Sequence, residues 1–375
     1  MTKSLGIYIH IPFCVQKCRY CDFCSFAGKD GSYMRKYRDE LVRRITLSPY
    51  DTKDHVVDTV YFGGGTPSLM SASDIDAIIS ALHSRFSIAD NAEITLECNP
   101  ATADKQYFKD IRSLGVNRLS MGLQSASDKE LALLGRIHTV ADFTTTFADA
   151  RSAGFDNVSA DLMYGIPDQD LNSFEHSLSF LSDLRPEHIS AYGLTVESGT
   201  YFDKHIDELS LADDDGQRQM YMLCSEYLAS RGYEKYEISN FARDGKRSRH
   251  NMRYWLGEEY LGFGVASHSF FGGCRFGNSR DLSAFLKGDD IVEERETVVG
   301  DGIIEEYIML RLRLVSGIDA NDYTRRFGRD LFCDFPMIDK WITHGFMKKS
   351  KNRIFFTDKG AFVSNSLISD MLLSI

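Results

Sequence analysis

The sequence predicts an α/β protein: a partial (β/α)6-type barrel followed by a small winged-helix-like domain at the C-terminus. Three observations lead to this prediction. Apolar, β-branched stretches alternate with helical patterns up to about residue 240. Polar residues or glycines follow several of these stretches, and the alternation stops beyond Trp255. A length of 375 residues also fits one large domain with one smaller appendage.

The strand-like and helix-like segments follow one another in chain order. The predicted strands are 6–11, 56–62, 93–97, 118–123, 157–163 and 188–194. The predicted helices between and after them include 72–86, 105–114, 141–153, 171–184 and 217–230. Six strand-plus-helix units in series imply a parallel sheet with right-handed crossovers.

An open doubly wound sheet and a partial barrel both fit this alternation. We favour the partial barrel, for which six strand-plus-helix units are enough. The candidate site residues fall at or just past the carboxyl ends of predicted strands, where both folds place their sites. These residues are Cys14, Gly63, Glu97, Gln124, Asp161 and Thr195.

Three parts of the chain are expected. Residues 1–240 form the barrel, and residues 241–300, rich in glycine and aromatics without a clear period, form a connecting region. Residues 301–375 show two helices, a short strand at 353–357 and a last helix from Asp358, which predicts the winged-helix-like domain.

The composition excludes several classes of protein. The formal net charge of −11 disfavours a nucleic-acid binder, since such affinity depends on neutralising phosphates. The segment 301–375 carries eleven Lys and Arg against ten Asp and Glu, a net charge of +1, so it also lacks a DNA-binding surface. No apolar run approaches the roughly 20 residues of a membrane span. Residues 1–5 show no signal peptide, so a cytoplasmic location is expected.

Four of the eight cysteines lie close together, and three of them form the pattern Cys14-x3-Cys18-x2-Cys21. Three thiolates can hold three irons of a [4Fe–4S] cluster and leave the fourth iron open. An open iron can chelate S-adenosylmethionine and pass an electron to its sulfonium. A zinc site would need a second cysteine pair or two histidines at finger spacing, and none follows. Cys24 is interpreted as a non-ligand.

These residues belong to motifs found along most of the chain, and with them the sequence resembles the radical SAM superfamily. The similarity is greatest to the group related to oxygen-independent coproporphyrinogen oxidase. The motifs are YIHIPFC at 8–14, CDF at 21–23, FGGGTP at 62–67, ECNP at 97–100, RLSMGLQ at 118–124, DLMYGIP at 161–167 and YEISNFA at 236–242.

The resemblance implies contacts to S-adenosylmethionine from polar residues and glycines near the strand ends. Glycines let a backbone approach a ligand closely, and their peptide groups could meet the methionine ammonium or carboxylate. Glutamate, aspartate, glutamine and arginine side chains suit ribose hydroxyls and the ligand carboxylate. The expected contacts are Tyr8, Gly64, Gly65, Thr66, Glu97, Gln124, Arg136 and Asp161. His10 on the same strand as Tyr8 is interpreted as a hydrogen-bonded core residue.

Two functions known in this group compete. The oxidase has a further cysteine two positions after the third ligand, where this sequence has Phe23, and a long N-terminal extension, whereas thirteen residues precede Cys14 here. The haem chaperones carry the motif HNxxYW, which is present as His250, Asn251, Tyr254 and Trp255. An imidazole can ligate haem iron and aromatic rings can stack on a porphyrin. His250 as the axial ligand is a hypothesis, with His268 or Cys274 as alternatives.

The resemblance therefore implies a haem chaperone that binds a [4Fe–4S] cluster, S-adenosylmethionine and haem, and delivers haem to acceptor haemoproteins such as respiratory enzymes. The alternative is a radical SAM enzyme that decarboxylates coproporphyrinogen III to protoporphyrinogen. The sequence leaves open whether the cofactor is cleaved, whether the chain forms a homodimer and whether it docks transiently on a membrane.

Overall fold

The strands of the protein build one large sheet and two small ones. The computed structural model describes residues 2–374. Within them the strands are β1 (Lys3–Ile11), β2 (Phe13–Cys14), β3 (Phe26–Ala27), β4 (His55–Gly64), β5 (Ile88–Cys98), β6 (Arg118–Gln124), β7 (Val158–Tyr164), β8 (His188–Gly193), β9 (Glu234–Lys235), β10 (Asn240–Ala242), β11 (Tyr260–Phe263), β12 (His268–Phe271), β13 (Cys274–Asn278), β14 (Val292–Thr297), β15 (Ile318–Asp319), β16 (Met347–Ser350) and β17 (Arg353–Phe356).

Helices connect most of these strands. Those of the described residues are α1 (Gly31–Thr46), α2 (Ala72–Arg85), α3 (Lys105–Ser113), α4 (Asp128–Leu133), α5 (Val140–Ser152), α6 (Leu171–Leu184), α7 (Tyr201–Lys204), α8 (Asp214–Ser230), α9 (Arg249–Leu256), α10 (Leu282–Lys287), α11 (Asp301–Arg311), α12 (Ala320–Phe327), α13 (Leu331–Asp334), α14 (Met337–Thr343), α15 (Asp358–Phe362) and α16 (Ser364–Leu372). Helix α2 shows why they begin where they do: Ser71 and Asp74 form a reciprocal capping box.

The large sheet contains the six parallel strands that the sequence predicts. Its order is β14-β13-β12-β11-β1-β4-β5-β6-β7-β8-β10-β9, and the pairs from β1 through β8 are all parallel. The predicted (β/α)6 arrangement is therefore confirmed. The predicted strand at 93–97 is longer than expected, because β5 already begins at Ile88.

The two faces of the parallel strands differ in chemistry. One face is apolar and packs against the helices in the main core, with Ile9, Phe62, Leu96 and Leu119 among its buried members. The other face carries tyrosines, carboxylates and an arginine, and it surrounds a cavity. The alternation of side chains along each strand thus separates the stabilising core from the site.

The segment without a clear period is more regular than the sequence indicates. It contributes β11, parallel to β1, and the antiparallel strands β12 to β14 to the large sheet. These strands have four to six residues each, too short for a period of two to stand out among glycines and aromatics. Whether residues 241–300 form a separate region stays a prediction.

The C-terminal part has its own hydrophobic core, built by helices α11 to α16 and the three-stranded sheet β15-β17-β16. This combination of helices and a small antiparallel sheet agrees with the predicted domain. It contacts the barrel through Lys235, whose Nζ lies 2.7 Å from Asp358 Oδ1. Across residues 2–374, we find no helix with the length and apolar character required to cross a membrane.

Candidate functional site

A cavity of about 410 Å³ lies at the carboxyl ends of the parallel strands, and we call it the barrel cavity. Most of the residues that line it are polar, and side chains from β4 to β8 contribute to the lining together with the cysteine loop. The predicted site residues that line it are Cys14, Cys18, Cys21, Gly64, Gly65, Thr66, Glu97, Gln124, Arg136, Asp161 and Asn251.

The cysteine loop starts at Cys14, the last residue of β2, and Cys14 lines the barrel cavity. Cys14, Cys18 and Cys21 are unpaired thiols that line the barrel cavity. Cys24 does not line it, and its Sγ instead lies 3.9 Å from the carbonyl oxygen of Arg280. The structure therefore separates the three predicted cluster ligands from the fourth cysteine of the loop.

The donor set of this loop fits an iron–sulfur cluster. Among residues 2–374, no three His, Cys, Asp or Glu side chains converge on one point as ligands of a single metal ion would. The thiolates of a [4Fe–4S] cluster bind different irons and need no common point. Burial raises the pKa of the Cys21 thiol to about 11, and coordination to iron would favour its deprotonated form.

Two thiols receive hydrogen bonds from cavity residues. Thr66 Oγ1 donates to Cys14 Sγ at 3.6 Å, and Arg136 Nη1 donates to Cys18 Sγ at 3.5 Å. Asn99 joins these donors, because its amide donates to Thr66 Oγ1 at 2.7 Å and its carbonyl accepts from Arg136 Nη2 at 2.8 Å. Donors aimed at sulfur stabilise thiolates and set the potential of a cluster bound by them.

The glycine loop fits tightly against β1 and β2, the two strands that precede the cysteine loop. Gly64 has φ +114°, and a Cβ there would lie 2.5 Å from the His10 ring. The N–H groups of Gly65 and Thr66 donate to the carbonyls of Ile11 and Phe13 at 2.8 and 2.7 Å. These N–H groups are bonded within the protein, and not free for a methionine carboxylate, so glycine serves here for close backbone packing.

Two carboxyl groups face the barrel cavity. Glu97 accepts a hydrogen bond from Tyr61 Oη at 2.8 Å and one from the Gly64 N–H at 3.1 Å. Burial raises the pKa of Glu97 to about 7 and that of Asp161 to about 6, although nearby Arg118 lowers the pKa of both groups. Both carboxyls therefore titrate close to neutral pH.

One placement from the sequence is wrong. Asp161 was expected at or just past a strand end, but it is the fourth residue of β7. There it pairs in register with Gly122 of β6 and with Ser190 of β8. Because the strands are staggered around the barrel, a residue in the middle of β7 reaches the same cavity as Glu97 near the end of β5.

Gln124 and Tyr8 occupy different positions relative to the cavity. Gln124 ends β6 with φ +71°, just after a register shift, and accepts a hydrogen bond from Tyr192 Oη at 3.5 Å. Tyr8 is not part of the cavity lining; its ring stacks on Tyr61 at 6.2 Å. Tyr8 Oη and His10 Nδ1 are 3.1 Å apart.

His10 is confirmed as a hydrogen-bonded core residue. It is buried, and its Nε2 lies 2.9 Å from the carbonyl oxygen of Cys24. Because a carbonyl can only accept, Nε2 carries the proton and Nδ1 accepts from Tyr8. Burial also lowers the pKa of His10 to about 4, which keeps the ring neutral.

Helix α9 holds the HNxxYW motif and distributes it over three environments. His250 is 1% exposed, with Nδ1 2.9 Å from Thr59 Oγ1 and Nε2 2.9 Å from Tyr254 Oη. Burial lowers the pKa of His250 to about 3, so the ring is neutral. Asn251 lines the barrel cavity. Trp255 lines a second cavity of about 340 Å³, which we call the Trp255 cavity.

Several residues of the barrel cavity were not singled out from the sequence as ligand contacts. Arg118 is the most unusual, because it is 1% exposed and its Nε has no hydrogen-bond partner among the described residues. Asn99, Arg118, Ser120 and Asn240 lie within motifs recognised above, but nothing in those motifs indicates which side chains point inwards. The additional residues include Tyr20, Tyr61, Asn99, Arg118, Ser120, Ser190, Tyr192 and Asn240.

The barrel and the three thiols at its rim define a radical SAM protein. In agreement, residues 8–181 match the radical SAM superfamily and residues 301–363 match the HemN C-terminal domain. The proteins named heme chaperone HemW from Bacillus subtilis and Escherichia coli are 32% and 33% identical to this chain. Each alignment covers 97% of this chain, with 98% and 97% of the two relatives. The chain belongs to the HemW family.

A solved structure supports the fold. The coproporphyrinogen III oxidase HemN from Escherichia coli, a radical SAM enzyme, is similar with a TM-score of 0.83. The match covers 99% of this chain and 90% of HemN at 22% sequence identity. This likeness concerns the architecture of the barrel and the C-terminal domain.

Proposed function

We propose that this protein is a haem chaperone: it binds a [4Fe–4S] cluster, S-adenosylmethionine and haem, and hands haem to acceptor haemoproteins. The observation that carries the proposal is similarity over 97% of the chain to proteins named heme chaperone HemW. The HNxxYW motif in helix α9 supports the same conclusion.

Cys14, Cys18 and Cys21 would hold the cluster. When bound, it supplies one open iron and an electron for S-adenosylmethionine. Arg136 and Thr66 would keep two of the thiolates charged through the hydrogen bonds described above. The residues proposed to surround the cofactor are Gly64, Gly65, Thr66, Glu97, Gln124, Arg136 and Asp161, whereas Tyr8 would support them from outside the lining, by stacking on Tyr61.

The carboxyls would act as acceptors for hydroxyl and ammonium groups of the cofactor. Tyr61 orients Glu97 by donating to one oxygen, which leaves lone pairs directed at the barrel cavity. Asp161 lies across the cavity on β7. With both groups titrating close to neutral pH, these residues would bind the cofactor best in their ionised form.

The oxidase alternative is not favoured. The full-length relatives carry the chaperone name, and the likeness to HemN is one of fold. Position 23, where the oxidase group has its additional cysteine, is an exposed phenylalanine. The acceptors would be haemoproteins such as respiratory enzymes. The chain would bind them in the cytoplasm or by docking transiently at a membrane. We also propose that the chain can form a homodimer.

The proposal is tested by anaerobic reconstitution with iron and sulfide, followed by haem titration and transfer to an apo-haemoprotein. We expect a Soret band on the chain and its appearance on the acceptor after mixing. A parallel incubation with reductant, S-adenosylmethionine and coproporphyrinogen III should yield no protoporphyrinogen. Formation of that product, or failure to bind haem, would overturn the proposal.

A further inference from the structure

The Trp255 cavity combines an aromatic wall with arginines at its edge. It lies between the sheet and the C-terminal part of the chain, where α9 and β12 face α11 and α12. Its apolar lining consists of Trp255, Leu256, Phe270, Ile303, Leu310 and Phe327. A volume of about 340 Å³ falls within the range of small-molecule sites, which are concave, mostly apolar and supplied with a few polar groups.

Two arginines flank the same aromatic ring in this cavity. The guanidinium carbons of Arg311 and Arg326 lie 5.5 and 5.6 Å from the ring centroid of Tyr307. Arg311 uses one Nη to donate to the Leu256 carbonyl, and Arg326 uses Nε to donate to Asp322. Guanidinium groups carry five donors, so each keeps donors for a further partner.

The local acidic groups are already neutralised. Glu306 lines the cavity but forms an ion pair with Arg275. Asp322 pairs with Arg325 and Arg326 and accepts from Tyr307. The edge of the Trp255 cavity is therefore cationic in an otherwise acidic protein, which favours an anionic ligand.

Trp255 itself has an unused donor. Its Nε1 is buried without a hydrogen-bond partner among residues 2–374. Buried indole N–H groups usually have one, so this donor is available to a partner. Apolar walls, two arginines that keep unused donors and an unpaired indole N–H describe a site for a flat apolar ring that carries carboxylates.

We propose that the Trp255 cavity binds the tetrapyrrole edge of haem, with Arg311 and Arg326 holding its propionates. This inference rests on the haem-chaperone function proposed above and assigns it a place on the chain. It also separates haem binding from His250, whose two nitrogens are hydrogen-bonded inside the barrel. The recognition depends on ring and carboxylates, and therefore extends to porphyrins without iron.

The full chain is titrated with haem and with protoporphyrin IX, and Arg326→Gln and Arg311→Gln are compared with Arg325→Gln. Arg325 is the matched control, because it neighbours Arg326 on α12 and also pairs with Asp322, but lies outside the cavity lining. We expect each cavity variant to weaken binding about tenfold, the value of one charge-assisted hydrogen bond, and the control to bind normally.

Two further measurements decide the site. Protoporphyrin IX dimethyl ester, whose carboxylates are blocked, should bind wild type as weakly as the arginine variants bind the free acid. In a Trp341→Phe variant Trp255 is the remaining tryptophan, and its fluorescence should be quenched by bound porphyrin. Equal affinities of all variants, or an unquenched Trp255, would overturn this site while leaving haem binding itself intact. Absence of haem binding to wild type would instead refute the proposed function.

Discussion

The barrel cavity and the Trp255 cavity are built from opposite kinds of side chain, although the eight-residue helix α9 lines both. The barrel cavity gathers thiols, carboxyls and a buried arginine around glycine-rich backbone. The Trp255 cavity presents aromatic rings with two arginines at its edge. One short motif can therefore contribute to two sites, because Asn251 lines the barrel cavity and Trp255 lines the Trp255 cavity.

The largest expected effect is loss of the iron–sulfur cluster, and it concerns the barrel cavity alone. Replacing Cys14, Cys18 or Cys21 by serine removes one of three thiolates, and we expect loss of most bound iron and sulfide after anaerobic reconstitution. Cys24→Ser is the matched control and should retain both, because Cys24 lies outside the cavity lining. Iron and sulfide analysis with EPR provides the measurement; loss of the cluster in Cys24→Ser would contradict the assignment.

A second variant tests whether His250 takes part in haem binding or only stabilises the fold. His250→Ala deletes a fully buried ring and its hydrogen bonds to Thr59 and Tyr254, so it should lower the free energy of unfolding by about 2–4 kcal/mol. Denaturant unfolding of the apo chain gives this value. Haem affinity and the Soret band of the folded variant should be unchanged, and a lost or shifted band would make His250 the axial ligand.

The positive charge of Arg118 lowers the pKa of the two carboxyl groups in the barrel cavity. Burial raises the pKa of Glu97 to about 7, so binding of S-adenosylmethionine should strengthen as the pH rises from 6 to 8 and Glu97 ionises. Arg118 lowers the pKa of both carboxyls, and Arg118→Met should move this profile to higher pH. One pKa unit would weaken binding about fivefold at pH 7. Calorimetry across pH measures it.

Arg118→Lys is the control for that prediction, because it preserves the positive charge. Its pH profile should resemble that of the wild type. If Arg118→Met binds the cofactor with an unchanged profile, Arg118 has no electrostatic role in the barrel cavity.

The smallest expected effect concerns one contact between the barrel and the C-terminal part, the ion pair of Lys235 with Asp358. Asp358 is 42% exposed and pairs with Lys235, so Asp358→Asn should lower the free energy of unfolding by less than about 1 kcal/mol. Raised salt should reduce the difference further, as screening weakens exposed pairs. Cluster content and haem affinity should both remain at wild-type values; a change in haem affinity alone would link this contact to the Trp255 cavity.

Sequence patterns predicted the parallel strands well because each has a long buried apolar face. The helix predicted over 171–184 coincides with α6, whose start is capped by Asp170. The thiol spacing also placed Cys14, Cys18 and Cys21 on one cavity. These features depend on local periodicity and spacing, which a single sequence displays.

Other parts of the site depend on contacts between distant segments. Arg118 looks like an ordinary strand residue, but it is buried in β6, which pairs with β5 on one side and with β7 on the other. His250 looks like a metal ligand beside aromatics, but Thr59 on β4 and Tyr254 occupy its nitrogens. The Trp255 cavity joins residues from α9 and α12, some seventy positions apart, and the sequence pattern of neither helix indicates it.

The position of β1 in the large sheet has a consequence for the chain without its cofactors. β1 is paired with β4 on one side and with β11 on the other. Amide protons along it should therefore exchange among the slowest in the molecule. The platform that carries the sulfur donors is thus fixed by strand pairing before iron arrives, and metal loading need order little more than the short loop beyond it.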